Sequence, residues 1–253
     1  MENPQVMNTT KILCLLGIVL FALIQFGCTY TNKIPPVTTF ENPSRSRTIG
    51  DYEVSGKVLA VQVCASCHGM NGYSNSPMFP HLAAQQKDYL VNQLKDYRDH
   101  TRSNEYGALY MWGIARNLTD NQIQELADYF SSKPVNQSSA EHVNESQLAR
   151  GKTIFDKGIP EAGVMQCIAC HGAEGKGAAT FPRIAGQQPF YILQQLRVWR
   201  HPHEKKFMNV EGKTWVPGTI TFARPRGEPM MNHVKNLSDA DAEAVALYLS
   251  KLK

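Results

Sequence analysis

The sequence is poor in cysteine, with six in 253 residues, too few for a scaffold held together by dense disulfides. Long hydrophobic runs are also missing. The most apolar stretch, ILCLLGIVLFALIQF from Ile12 to Phe26, falls short of the roughly 20 residues that span a bilayer. No segment alternates apolar and polar side chains as a half-buried strand does, which argues against a sheet. No basic stripe interleaved with aromatics is present, which argues against nucleic acid as a partner. Neither sign of charge dominates, and the net +4 divides into +2 over residues 1–49, −2 over 50–133, −1 over 134–144 and +5 over 145–253. The C-terminal part is thus the basic one, either a face that steers toward an acidic partner or an ordinary solvated surface.

The beginning of the chain reads as targeting. Lys11 precedes an apolar core of export-signal length, which ends in Gly27-Cys28 and then polar residues, the pattern of a lipoprotein signal with an acylated Cys28. Gln25 and Phe26 fit that pattern poorly, and no clear A-x-A site precedes a mature start, so an uncleaved anchor and simple cleavage stay open beside the lipid. All three place the globular part outside the cytoplasm. Residues 1–28 are accordingly the export signal or membrane anchor. Residues 29–50, rich in proline and hydroxyl side chains, are a flexible tether.

Beyond the tether the chain repeats itself. VCASCHG at residues 63–69 returns as QCIACHG at 166–172, Phe79-Pro80 returns as Phe181-Pro182 at an offset of 102, and NLTD at 117–120 returns as NLSD at 236–239 at an offset of 119. The expected organisation is one domain type used twice, residues 51–133 and 146–253, joined by a polar linker at 134–145. The second copy carries an insertion of 17 residues near 203–219. Ile123, Leu126, Ala127 and Phe130 recur at i, i+3, i+4, i+7, as do Ala242, Val245, Ala246 and Leu249, predicting a C-terminal helix in each copy. Thr119 with Gln122, and Ser238 with Asp241, mark their starts. Tyr89, Leu90, Gln93, Leu94 and Tyr97, matched by Tyr191, Ile192, Gln195, Leu196 and Trp199, predict a middle helix. The reading is helical throughout.

Two cysteines separated by two residues with histidine next suit covalent haem attachment, because both thiols can add to the vinyl groups while the imidazole reaches the iron from the same short segment. Cys64, Cys67 and His68 form one such unit and Cys167, Cys170 and His171 the other, which predicts two covalently bound haem c groups. The rival uses are a redox dithiol and half of a zinc site. The first lacks the alternating strands and helices of a thioredoxin-like domain, and the second lacks another Cys or His pair at ligand spacing in either copy.

With these units, FPHLAAQQKDYLVNQL and FPRIAGQQPFYILQQL, and the LTD and LSD helices in order, residues 50–253 resemble the dihaem cytochrome c4 family. Ala84 departs from the family's usual glycine, and the insertion departs from its length. The resemblance implies an all-α fold of two tandem class I cytochrome c domains, packed face to face with the haem propionates near the shared interface. It implies His68 and Met111 as iron ligands in the first copy and His171 and Met230 in the second; Met231 is the adjacent competitor, and His233, close to both methionines in the sequence, is a further donor to watch if the insertion alters the loop. It also implies that the carbonyls of Pro80 and Pro182 accept the second N–H of the two histidines. An iron with both axial positions taken passes electrons and has no place for a substrate, so the expected activity is that of an electron carrier rather than an enzyme. The family's pathway runs from a quinol-oxidising complex or periplasmic dehydrogenase to a terminal oxidase, on the periplasmic face of the bacterial inner membrane. A dihaem enzyme of peroxidase or thiosulfate-oxidising type, and a permanent subunit of an oxidase or dehydrogenase, stay open. The basic insertion is a candidate docking element.

Overall fold

The computed structural model describes residues 50–104, 107–135, 144–201, 208–210, 213–215 and 224–253. The targeting segment, Cys28, the tether and most of the insertion lie outside the described residues.

In the first half, helix α1 runs as Gly56–Leu59, a π-helical turn Ala60–Cys64, and Ala65–His68. Helix α2 is Lys87–Arg98. Helix α3 is a second π-turn, Ala108–Trp112, continued by Gly113–Ala115. Helix α4 is Asp120–Ser131, opened by the expected capping box, in which Thr119 accepts from the Gln122 backbone and Gln122 accepts from the Thr119 backbone. All four residues of its periodic stripe are buried, and they join Leu59, Ala60, Leu90, Tyr97, Ala115 and Leu118 in one core.

The second half repeats the plan with α5 at Glu145–Lys157, α6 at Ile168–His171, α7 at Pro189–Arg200, α8 at Glu228–Val234 and α9 at Asp239–Lys251. Its core gathers Ile154, Phe155, Ile192, Leu196, Val234, Leu237, Val245 and Leu249 and shares no member with the first. Two independent apolar cores match the internal repeat.

One crossing holds each half's first and last helices together. A Cβ on Gly56 would lie 2.9 Å from the Gln122 carbonyl oxygen and 2.5 Å from Glu125 Cβ, and one on Gly151 would lie 2.0 Å from the Ala244 carbonyl oxygen. Glu125 and Ala244 are related by the same offset of 119, so both glycines admit the same close approach of backbones.

The structure differs from the sequence reading in three places. Helix α5 begins at Glu145, inside the stretch read as linker, because the Asn144 side chain caps it by accepting from Gln147 N. The first copy runs from its crossing glycine straight into the haem-binding heptad, whereas Gly151 stands sixteen residues before Cys167. That extra chain leaves α5 at Gly158, φ +69°, and turns through Pro160–Ala162 before α6. The third difference qualifies the expectation of helix throughout. Strands β1, Met208–Val210, and β2, Lys213–Trp215, pair antiparallel within the insertion, Met208 opposite Trp215.

Candidate functional site

Each heptad ends a helix so that its histidine turns inward. His68 and His171 are the last residues of their helices, each followed by a glycine at φ +76°. At Gly69 a Cβ would come within 2.2 Å of the Tyr73 carbonyl oxygen, so the chain can reverse there only with glycine. Both imidazoles are buried. His68 Nδ1 lies 2.9 Å from the Pro80 carbonyl oxygen and His171 Nδ1 lies 2.9 Å from that of Pro182. Burial lowers the pKa of both rings below the usual 6.5, against the raising effect of these carbonyls. Each ring is therefore neutral, with its proton on Nδ1 donated to proline and the Nε2 lone pair free for iron.

No disulfide joins the four motif cysteines, Cys64, Cys67, Cys167 and Cys170. Burial pushes the Cys64 thiol up to about 12 and the Cys167 thiol up to about 11. Among the described residues no three His, Cys, Asp or Glu converge as a metal site of their own.

Between the histidines runs one cavity of about 1240 Å³ with walls from both halves, larger than the roughly 300–1,000 Å³ of a single small-molecule site. Its wall includes all four motif cysteines, both histidines, Pro80 and Pro182. Met111, on the π-turn of α3, and Met230, on α8, line it, as does His233, whereas Met231 does not. Met111 packs against the first core and Met230 against the second. Met78 and Met165 also reach the wall but are exposed.

Several site residues were absent from the sequence reading. The two halves are joined by reciprocal amides: Gln85 accepts from Arg183 N at 2.7 Å and donates to Arg183 O at 2.8 Å, while Gln187 accepts from His81 N at 2.8 Å and donates to His81 O at 2.9 Å. Gln86 reaches the Lys176 carbonyl and Gln188 that of Ser74. The doubled Gln-Gln after LAA in the first copy and IAG in the second was the signal, two amides in register where a lone domain would need none. Arg102 and Arg224 are buried beside the cavity, and nothing in the repeat pattern marked them.

The cavity fits haem on three counts. It has room for two groups, it offers a neutral imidazole backed by a carbonyl at each heptad, and it presents buried donors that no described residue satisfies, Trp199 Nε1, Ser103 Oγ and Arg183 Nη2. Such donors call for acceptors on whatever fills the space.

Comparison with known proteins agrees with this geometry. The Cytochrome c family profile matches residues 54–133 and 148–253. The chain is 36% identical over 210 residues to cytochrome c-552 of Acidithiobacillus ferridurans, covering 82% of this chain and 81% of that protein. It is 33% identical over 208 residues to cytochrome c4 of Thiocapsa roseopersicina, covering 81% and 94%. A protein of Stutzerimonas stutzeri named thiosulfate dehydrogenase electron acceptor is 29% identical over 204 residues, covering 79% and 84%. Among solved structures, cytochrome c4 of Acidithiobacillus ferrooxidans is similar with a TM-score of 0.60 at 37% identity, covering 75% of this chain and 98% of that one. With two all-α cytochrome c domains and two covalently bound haem c groups, the chain belongs to the cytochrome c4 family of dihaem electron carriers.

Proposed function

We propose that the protein is held at the periplasmic face of a bacterial inner membrane by Cys28 or its apolar leader, and passes single electrons from a quinol-oxidising complex or periplasmic dehydrogenase toward a terminal oxidase. With haem bound, each centre supplies an iron that takes up and releases one electron. The chain's own residues would hold that iron, His68 and Met111 in the first half, His171 and Met230 in the second. One observation carries this reading: each neutral, carbonyl-backed histidine shares a cavity wall with the methionine in matched register seven residues before the leucine of LTD or LSD. A thioether opposite an imidazole favours the reduced state over bis-histidine ligation, which suits an acceptor of electrons from a dehydrogenase. The choice of Met230 over Met231 as the donor is supported by its place on the cavity wall and its packing on the second core. The likeness to an electron acceptor of thiosulfate dehydrogenase makes a sulfur-oxidising dehydrogenase one donor of the stated class.

The test is ligand exclusion on the purified two-haem protein. Carbon monoxide should bind neither reduced haem quickly, Met111→Ala should open one site and Met230→Ala the other, and rapid uptake by the unmodified protein would overturn the reading. Placement at the membrane is checked separately by palmitate labelling and fractionation of the Cys28→Ala variant. Loss of both label and membrane association identifies the lipid, retained association identifies the anchor, and a wild-type protein found free in the periplasm refutes the tether.

A further inference from the structure

Two guanidinium groups lie buried where the halves meet, Arg102 at 4% and Arg224 at 6% exposure, and they share acceptors. Gln93 Oε1 accepts from Arg102 Nη1 at 2.6 Å and from Arg224 Nη2 at 2.9 Å. Gln195 Oε1 accepts from Arg102 Nη2 at 3.2 Å and from Arg224 Nη1 at 2.5 Å. Two like charges are thus bracketed by the same pair of amide oxygens, one from α2 and one from α7. The arrangement is pseudo-symmetric. Arg102 donates to Tyr191 OH and lies 4.4 Å from the Tyr97 ring centre, and Arg224 donates to Tyr89 OH and lies 4.7 Å from that of Trp199. Tyr97 and Trp199 correspond in the repeat, but the arginines do not. They are 122 residues apart, a spacing that matches neither repeat offset, because Arg224 arrives from the far side of the insertion.

All of these partners are neutral. Asp96 is the single buried carboxylate among the described residues, and both its oxygens accept from Arg226 Nε, at 2.8 and 3.0 Å. A buried cation without an opposite charge is strongly unfavourable, and two side by side repel each other as well. Both arginines line the cavity assigned to the haems, and each haem carries two propionate carboxylates.

We infer that Arg102 and Arg224 form one shared cationic bridge that binds haem propionates from both halves and sets the two reduction potentials together. The inference rests on the two-haem reading and adds the residues that hold and tune the pair. Positive charge beside a propionate disfavours the ferric state, which carries one more positive charge than the ferrous. Removing a guanidinium therefore makes reduction less favourable. Since each arginine is tied to both glutamines, either substitution moves both haems.

The experiment is a spectroelectrochemical titration of the holoprotein and of its Arg102→Gln, Arg224→Gln and Arg102→Lys variants. Each glutamine variant should lower the reduction equilibrium of both haems about tenfold, which is 59 mV for one electron, and Arg102→Lys should recover most of that shift. Unchanged potentials, or a shift confined to one haem, overturn the inference. A variant that merely loosened packing would melt earlier without moving either potential, and that result also counts against it. A second measurement needs no variant. Redox-difference infrared spectra of wild-type protein carrying ¹³C-labelled propionates should show ionised, strongly hydrogen-bonded carboxylates, and protonated acids would refute the bridge. Failure to find two haems would instead remove the family reading beneath it, so the two outcomes are distinct.

Discussion

Removing the reciprocal amides between the halves should uncouple them. In Gln85→Ala, the N–H and C=O of Arg183 both lose their partner, and in Gln187→Ala those of His81 do. Both glutamines are buried, at 6% and 7% exposure. A buried backbone group left unpaired costs about 1–3 kcal/mol, so each variant should lose about 2–6 kcal/mol of interface stability, toward the lower end where water enters. The double variant should lose less than the sum, since the two sites belong to one interface. Because each half has its own core, the loss should appear as separation of the halves rather than collapse of either. Urea unfolding followed by far-ultraviolet circular dichroism should change from one transition to two, and the Soret exciton couplet between the haems should weaken. Gln85→Glu, which keeps an acceptor for Arg183 N–H but sets oxygen against its carbonyl, should fall between. If the double variant kept a single transition within 0.5 kcal/mol of wild type and an undiminished couplet, the amides would not be what joins the domains.

Three further outcomes follow from particular positions. Gly151→Ala places a methyl 2.0 Å from the Ala244 carbonyl oxygen, so it should cost about 1–3 kcal/mol of overpacking and lower the melting temperature of the second half, whereas Gly113→Ala, with nothing within 4 Å, should be neutral or slightly stabilising. Ala84 sits at φ +53° where its counterpart Gly186 sits at +67°, so Ala84→Gly should relieve left-handed strain of about 1–2 kcal/mol, less the entropy glycine loses on folding, and net destabilisation in denaturant titration would refute this. His81 accepts from Ser74 N through Nδ1 and stacks on Tyr73, and burial lowers its pKa from 6.5 to about 4. The unfolded chain therefore takes up a proton that the folded one refuses, so stability should be full above pH 6.5 and fall as the pH drops to about 4. His81→Gln should flatten that slope in denaturant titrations across the range, and an unchanged slope would exclude His81 as its source.

What the sequence revealed and what it hid divide along physical lines. The stripes of α4 and α9 were legible because a helix that buries one face must repeat apolar residues at its own period, and the heptads were legible because covalent haem attachment tolerates little variation in spacing. Ala84 stood out as the residue where glycine was expected, and the backbone conformation there shows why glycine is usual. The hairpin in the insertion was not visible, since three-residue strands carry too few alternations to register as a period. Gln85 and Gln187 were visible as a repeated pair without an assigned task, because an amide that bonds backbone across an interface has no local pattern. Arg102 and Arg224 were hidden for a further reason: two residues that occupy equivalent places come from non-equivalent positions, and register, which pointed to Met111 and Met230, is blind to such convergence.

The central claim is that this polypeptide closes both irons with a histidine on one side and a methionine on the other. Low-temperature magnetic circular dichroism of the oxidised protein, normalised to haem and chain concentration, tests it directly through the methionine-to-iron charge-transfer band. The account predicts two haems per chain and two equivalents of that band. One equivalent accompanied by high-spin iron, or fewer than two thioether-linked haems, would contradict it.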